Sequence, residues 1–209
     1  MIVIRTNHDL QTSYLYESTK EIIKFAENKN FKVNILEENE ITEQNIRKRI
    51  KTRKPSIIFF NGHGSTKELY DNNEEIFISM KSADVFKDTI TFARACDSLK
   101  ELGKEAVKKG CYSFIGYKNK FFIARYHDTT CKPKDDPVAK PILECSNNIV
   151  KDLIKNKTVN EAINNSHELT ADYILKLIFS QELWAPATLQ ALIYNDKSLD
   201  YEGDKNAKV

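Results

Sequence analysis

Apolar residues along the chain follow two alternating patterns, short compact runs and longer stretches with helical spacing. The short runs are rich in β-branched and aromatic residues and are bounded by polar or turn-forming residues, which predicts β-strands. Such runs occupy residues 2–4, 31–36, 56–60, 90–95, 111–117 and 188–194. We therefore expect six strands.

Between these runs, apolar residues recur three or four positions apart, which predicts helices with one buried face. Thr42 is a predicted N-cap, Thr158 and Glu161 have the spacing of a capping box, and Gly110 follows two lysines as a C-terminal cap. Strands that alternate with helices favour a mostly parallel sheet covered on both faces and joined by right-handed crossovers.

The predicted fold class is α/β, with three layers and a central, mostly parallel six-stranded sheet flanked by helices. A chain of 209 residues suits one core, so we assign residues 1–200 to a single domain and residues 201–209 to a polar C-terminal tail. Residues 118–137 are polar and contain two prolines, which predicts a long loop. That loop is either a site of processing or a plain surface connection.

Composition narrows the class of protein. The 32 Lys and Arg residues nearly balance the 30 Asp and Glu residues, so charge points neither to nucleic acid nor to an anionic membrane. The four cysteines lack the C-x-x-C spacing of zinc sites and are too few for a disulfide scaffold. The chain begins without a signal-peptide pattern and has no apolar run of ~18 residues. We expect a cytoplasmic protein with free thiols and no nucleic-acid or membrane partner.

Two reactive side chains follow directly after predicted strands. His63 lies between Gly62 and Gly64 after the third strand, and Cys96 follows the fourth. Neighbouring parallel strands, roughly 4.8 Å apart, would bring the imidazole and the thiol to one edge of the sheet. A helix predicted to begin almost at Cys96 would favour a thiolate. The pattern indicates a nucleophile with an adjacent base, and the N–H groups of Gly64 and Cys96 are candidates for an oxyanion hole.

Between residues 57 and 117 the chain reads as an apolar strand, His-Gly, a second strand ending in Ala-Cys-x-Ser, an Ala/Gly helix and Gly-x-x-x-Phe-Ile-Gly. This order resembles the caspase-like (clan CD) cysteine peptidases, especially CHAT-domain proteins, with similarity to gingipains, legumains, separases and metacaspases. The resemblance implies His63 as the base, Cys96 as the nucleophile and Gly64 in the oxyanion hole. It also implies hydrolysis of a protein or peptide substrate through a thiol acyl-enzyme, and regulation by processing or an activating protein partner.

Substrate preference is argued from the residues beside Cys96. In the related families the residue two positions before the nucleophilic cysteine lines the specificity pocket, and here that residue is Arg94. The resemblance thus implies a preference for an acidic substrate residue. Asp97 would instead attract a basic residue, and an ion pair between Arg94 and an internal carboxylate would remove the first argument.

Each motif also has an ordinary structural explanation, because a cysteine after an apolar strand is commonly a core residue and Gly-His-Gly is commonly a turn. The alternative function is a catalytically inactive caspase-fold interaction module. A flavodoxin-like or receiver-like module fits the alternation of elements, but a glycine-rich phosphate loop and an acidic cluster after the first strand are missing. A third residue that orients His63 stays open, with Asn61 and Glu74 as candidates.

No metal site and no cofactor are expected. His127, Cys131 and Cys145 lie in or near the polar loop, but no fourth ligand follows them. His8 and His167 are expected at the surface. The sequence as a whole predicts a cysteine endopeptidase that works with protein side chains alone.

Overall fold

The computed structural model of the protein describes residues 1–126 and 132–209. The strands are β1 (Ile2–Arg5), β2 (Asn34–Glu37), β3 (Ile57–Asn61), β4 (Glu68–Tyr70), β5 (Ile76–Ser79), β6 (Ile90–Arg94), β7 (Ser113–Tyr117) and β8 (Leu199–Gly203). The α-helices are α1 (Leu10–Asn28), α2 (Glu43–Arg53), α3 (Leu102–Lys108), α4 (Lys140–Ile154), α5 (Val159–Ile178) and α6 (Ala185–Ser198).

The central sheet has the strand order β2-β1-β3-β6-β7-β8, and β4 pairs with β5 in a separate hairpin. Strands β1, β2, β3, β6 and β7 are parallel to one another, whereas β8 runs antiparallel to β7. The prediction of a mostly parallel six-stranded sheet is therefore confirmed. Strands β1 and β3 are apolar along nearly their whole length because helices cover the sheet on both faces.

Successive residues of β3 point to opposite faces of the sheet and enter two different cores. Ile58 and Phe60 pack in a core that includes residues of α2, α3 and the β4–β5 hairpin. Ile57 and Phe59 pack in a second core, together with residues of α1, α4 and α5. These two cores give the chain the three layers that were predicted.

The prediction of a strand at residues 188–194 is wrong, because this segment lies within helix α6. Its apolar residues also fit a period of two, which misleads a reading of the sequence alone. The buried positions are in fact three and four residues apart, as a helix requires, and comprise Thr188, Ala191, Leu192 and Asn195.

The sixth strand of the sheet is β8, which begins where α6 ends. The predicted start of a polar tail at residue 201 falls inside this strand. Beyond it, Ala207 and Val209 pack against the second core, and the N–H of Val159 donates to the carbonyl of Ala207 at 3.1 Å. The last residues therefore contact the domain.

Hydrogen bonds confirm the predicted helix ends. The hydroxyl of Thr42 accepts from the N–H of Asn45 at 3.1 Å at the start of α2. Thr158 and Glu161 make both bonds of the capping box at the start of α5. Gly110 adopts a φ of +99° just after α3, a conformation that few other residues tolerate.

The predicted long loop follows β7. Residues 118–126 contain neither strand nor helix, and a short 3₁₀ turn covers Pro133–Asp135. His127 and Cys131 lie outside the described residues. Among the helices that the structure describes, none combines the length and the apolar character needed to cross a membrane.

Candidate active site

The ends of β3 and β6 place His63 and Cys96 at neighbouring positions on one edge of the sheet. The two strands pair in parallel, and their last paired residues are Asn61 and Arg94. His63 and Cys96 each follow two residues later. The contact between the strands continues past this pair, since the N–H of Gly62 donates to the carbonyl of Arg94 at 3.4 Å. The loops that carry His63 and Cys96 therefore leave the sheet side by side.

Glycines on either side of His63 let its loop pack tightly. A Cβ atom at Gly62 would lie 2.7 Å from Oγ1 of Thr6. A Cβ atom at Gly64 would lie 2.9 Å from the Cβ of Ala95 and 3.3 Å from the carbonyl oxygen of Cys96. A side chain at Gly64 would push the His63 and Cys96 loops apart, whereas a side chain at Gly62 would push the His63 loop away from Thr6.

Asp9 holds the imidazole of His63. Its Oδ2 lies 2.7 Å from Nε2 of His63, while its Oδ1 accepts from the N–H and the hydroxyl of Thr12 at 2.7 and 2.8 Å. Asp9 is thus the N-cap of α1 and the partner of His63 at once. Burial alone would raise the pKa of Asp9, but the hydrogen bonds from Thr12 and His63 prevail and lower it to about 2.

The residues proposed from the sequence as partners of His63 lie elsewhere. The Oδ1 of Asn61 accepts from Arg94 at 2.8 Å, and Glu74 approaches His8 rather than His63. Reasoning from the sequence missed Asp9, although a signal was present. Asp9 follows the first predicted strand and stands three residues before Thr12, which is N-cap spacing, and β1 lies beside β3 in the sheet.

His8 lies inside the site, so its expected surface position is wrong. Its side chain is 14% exposed, and its ring meets the ring of His63 edge-on with the centroids 5.3 Å apart. Both ring nitrogens are buried and make no hydrogen bond within the described residues. The carboxylate of Glu74 stays 3.7 Å from Nε2. This imidazole is therefore a largely buried polar group that contacts His63 and Glu74 without a hydrogen bond to either.

Cys96 lies in a turn instead of at a helix end. The chain turns through residues 95–101, and α3 begins only at Leu102. The predicted stabilisation of a thiolate by a helix end is therefore wrong. Burial raises the pKa of the Cys96 thiol, as does the charge of Asp97, while a backbone hydrogen bond from Phe121 and the charge of Lys120 oppose the shift. The sulfur keeps its proton at neutral pH.

Arg94 is fully buried, which argues against its predicted role in substrate specificity. Its guanidinium lies between β6 and the helices α1 and α4, and burial lowers its pKa to about 10. Among the residues that the structure describes, the acceptors around it are all neutral, instead of the carboxylate that the sequence suggested: Asn61 Oδ1 (2.8 Å), Ser146 Oγ (2.8 Å), Asn147 Oδ1 (2.9 Å), Leu15 O (3.4 Å) and Ser18 Oγ (2.7 Å). A substrate could not reach this group without separating the layers.

Asp97 shapes the turn that presents Cys96. Its φ is +57°, a conformation in which aspartate is better tolerated than most residues. Its N–H donates to the carbonyl of Asn119 at 3.0 Å, and its carboxylate lies 2.6 Å from the ammonium of Lys100. With 22% of its side chain exposed and its charge already paired, Asp97 is a weak specificity candidate and a clear determinant of the turn.

Two N–H groups at the site remain available to an oxyanion. Within residues 1–126 and 132–209, neither the N–H of Gly64 nor that of Cys96 donates a main-chain hydrogen bond. Gly64 forms an isolated bridge with Leu69, but the bonds that make it come from Ser65 and Tyr70. The assignment of both groups to an oxyanion hole stays a prediction.

No family model and no curated protein matches the chain. Its structure is similar to the crystal structure of the Arg-specific cysteine proteinase gingipain R, with a TM-score of 0.64 and 12% sequence identity. The match covers all of this chain and 46% of the proteinase, so the chain spans less than half the length of that neighbour. The protein has a caspase-like fold, and at this identity the likeness concerns the fold alone.

Proposed function

We propose that the protein is a cysteine endopeptidase in which His63 is the base, Cys96 the nucleophile and Asp9 the residue that orients the base. The observation that carries the proposal is the ionised Asp9 carboxylate bound to His63 at the sheet edge where Cys96 emerges. The caspase-like fold supports it, because the neighbouring structure is a cysteine proteinase. The resemblance to CHAT-domain proteins belongs to the same proposal and rests on the sequence motifs.

The reaction begins with a neutral thiol, since the raised pKa of Cys96 keeps its proton on sulfur. With Nε2 of His63 bound to Asp9, Nδ1 is the nitrogen that accepts this proton as the sulfur attacks the substrate carbonyl carbon. The oxyanion forms against the N–H groups of Gly64 and Cys96. His63 then donates the proton to the leaving amine, which leaves a thioester on Cys96.

Hydrolysis of the thioester repeats these steps with water. His63 removes a proton from the attacking water, the C–S bond breaks, and the proton returns to the sulfur as the carboxylic acid product departs. Asp9 stays ionised throughout and stabilises the imidazolium formed in each half-reaction. Its two bonds to Thr12 fix the carboxylate before any substrate binds.

The substrate is a protein or peptide chain, and the residue preference follows from groups other than Arg94, which is buried. We also propose a cytoplasmic activity regulated by a protein partner or by processing. The raised pKa of Cys96 supports regulation, because a site whose thiol holds its proton has low reactivity until a bound partner or substrate changes the surroundings of the sulfur.

The test is hydrolysis of a peptide library by the wild type, Cys96→Ala and His63→Ala, combined with trapping by a peptide-based electrophile and mapping of the labelled cysteine by mass spectrometry. We expect cleavage and labelling at Cys96 in the wild type and neither in either variant. Cys111 and Cys145 are internal controls, since burial raises their pKa to about 11 and about 12. Labelling of Cys96 that is unchanged in His63→Ala would refute the assignment of the base.

A catalytically inactive interaction module is the second candidate, and the raised pKa of Cys96 is the observation that favours it. This function predicts binding of a partner protein that is unaffected by Cys96→Ala. It also predicts no cleavage of that partner. Detection of a thioester on Cys96 with any peptide substrate would exclude it.

A further inference from the structure

The loop between β1 and α1 adds a third metal-ligand residue to the His63–Asp9 pair. His8, Asp9 and His63 each offer a ligand atom, and these atoms lie within 4.8 Å of one another. Two imidazoles and one carboxylate form a donor set that suits zinc, which commonly takes three protein ligands and one exchangeable position.

The ring of His8 is a second, independent observation that supports a metal site in this cluster. A buried imidazole with neither nitrogen hydrogen-bonded is destabilising, because such groups normally find a protein or water partner. In the described residues the His8 ring nitrogens make no hydrogen bond, although the Glu74 carboxylate lies 3.7 Å from Nε2, and the ring packs against His63. The main-chain N–H of His8 is held by the hydroxyl of Thr12 at 3.1 Å, so the side chain is directed by the start of α1.

We propose that His8, Asp9 and His63 bind Zn²⁺, and that the bound ion reversibly inhibits the enzyme by occupying the base. This inference rests on the proposed function for its inhibitory consequence, but not for the metal site. When zinc takes the lone pair of Nε2, the single proton of the neutral His63 ring lies on Nδ1, so the nitrogen that would accept the proton of Cys96 is already protonated. Tetrahedral zinc ligands about 2.0–2.2 Å from the metal lie about 3.4 Å from one another. His63 and Asp9 therefore separate slightly from 2.7 Å, and the three ligand atoms, now within 4.8 Å of one another, rearrange around the ion.

The site differs from a generic zinc contact with a catalytic thiol. Its defining residue is His8, which has no role in the proposed reaction, and its donors are nitrogen and oxygen only. Cobalt bound in place of zinc should accordingly give a visible spectrum without the charge-transfer band of a thiolate ligand. The exchangeable position is left to water or to a substrate group.

Direct binding is measured first, with metal-free protein titrated against a chromogenic zinc chelator. We expect one zinc ion per chain in the wild type and at least about tenfold weaker binding in His8→Asn. His167→Asn is the matched control, because His167 lies 2.7 Å from Asp196 in a second histidine–aspartate pair, and this variant should bind zinc like the wild type. Circular dichroism of each variant verifies the fold, and His8→Gln provides a second substitution.

Inhibition is then measured as the zinc concentration that halves the metal-free rate of each variant. His8→Asn should require at least about ten times more zinc than the wild type, in step with its weaker binding. Equal zinc affinity in His8→Asn and the wild type would overturn the proposal. So would a loss of affinity in Cys96→Ser equal to that in His8→Asn, which would assign the metal to the thiol. Zinc binding without any peptidase activity would support the metal site and refute the proposed function.

Discussion

Two histidine–aspartate pairs in the protein have the same hydrogen-bond length and different surroundings. His63 lies 2.7 Å from Asp9, and His167 lies 2.7 Å from Asp196. The first pair joins two loops at the carboxyl edge of the sheet, whereas the second joins helices α5 and α6. The geometry of the pair itself therefore cannot distinguish a functional site from a structural contact.

The surroundings make the distinction. A cysteine also lies near the second pair, since Ser166, next to His167, donates to the carbonyl of Cys145 at 2.9 Å. Burial raises the pKa of Cys145 to about 12, so its thiol is inert at neutral pH. Cys96 is only partly buried and emerges on the loop beside Gly64, the residue after His63. A histidine–aspartate pair becomes chemically useful where an accessible nucleophile and vacant N–H donors adjoin it.

Removing each histidine gives the largest expected contrast. His63→Ala should lower kcat by about 10²–10⁴, because the variant lacks the group that moves the proton in both half-reactions. His167→Ala should keep kcat near the wild-type value, since this ring lies between two helices. Steady-state kinetics on a cleaved peptide measures both. Comparable losses of kcat in correctly folded variants would mean that the two pairs do not differ in their contribution to catalysis.

Replacing each aspartate sharpens the comparison by removing charge while keeping shape. Asp9→Asn should lower kcat by about 10²-fold or more, because a neutral amide stabilises the imidazolium less and permits the wrong ring orientation. Asparagine is as good an N-cap as aspartate, so the melting temperature should change little. Asp196→Asn is the control and should leave kcat unchanged. A rate loss that follows the melting temperature across both variants would assign Asp9 a structural role only.

Glycine substitutions separate packing at the site from packing elsewhere. A Cβ at Gly64 would lie 2.9 Å from Ala95, and a Cβ at Gly103 in α3 would lie equally close to the ring of Phe114. Gly64→Ala should lower the free energy of unfolding by about 1–3 kcal/mol through overpacking. Gly103→Ala should have a smaller effect, because the better helix propensity of alanine, about 1 kcal/mol, offsets part of the strain.

Activity distinguishes the two glycine variants more sharply than stability does. Gly64→Ala displaces the loop of His63 from that of Cys96 and should reduce kcat beyond its effect on the folded fraction. Gly103→Ala should retain the wild-type kcat at a temperature where it is fully folded. Chemical denaturation and single-temperature kinetics on the same samples provide both quantities. A Gly64→Ala enzyme with full activity would show that the contact with Ala95 does not set the catalytic distance.

The sequence predicts the sheet and both strand ends of the site because these depend on local patterns. Apolar runs mark β3 and β6, and the reactive residues follow each run directly. Helix α6 is not predicted from the sequence, because its apolar residues fit both the period of two of a strand and the spacing of three or four of a helix. Only tertiary packing selects the helical spacing. The turn after Cys96 depends on the positive φ of Asp97, which a general preference for helices after strands does not reveal.

The partners of the site residues are less predictable because they are distant in sequence. Asp9 stands 54 residues before His63, and their contact requires the strand order that places β1 beside β3. The neutral acceptors around Arg94 come from β3, α1 and α4. To predict these acceptors in place of a carboxylate, one must know how the three elements pack. Chemistry along one loop can be read from sequence, whereas contacts between loops follow from topology.

The smallest expected effect concerns the pH dependence of stability at the second pair. The hydrogen bond and charge of Asp196 raise the pKa of His167 against the opposing effect of burial, and Asp200 adds to the rise. A histidine with a raised folded-state pKa contributes stability that is complete below its unfolded pKa of about 6.5 and is lost as pH rises through the folded value.

The difference in unfolding free energy between the wild type and Asp196→Asn should therefore be larger at about pH 5.5 than at about pH 8.5. Asp172→Asn, an exposed site on the same helix as His167, is the control. Urea denaturation at both pH values measures the difference, and a constant difference would mean that the charge of His167 does not stabilise the contact between α5 and α6.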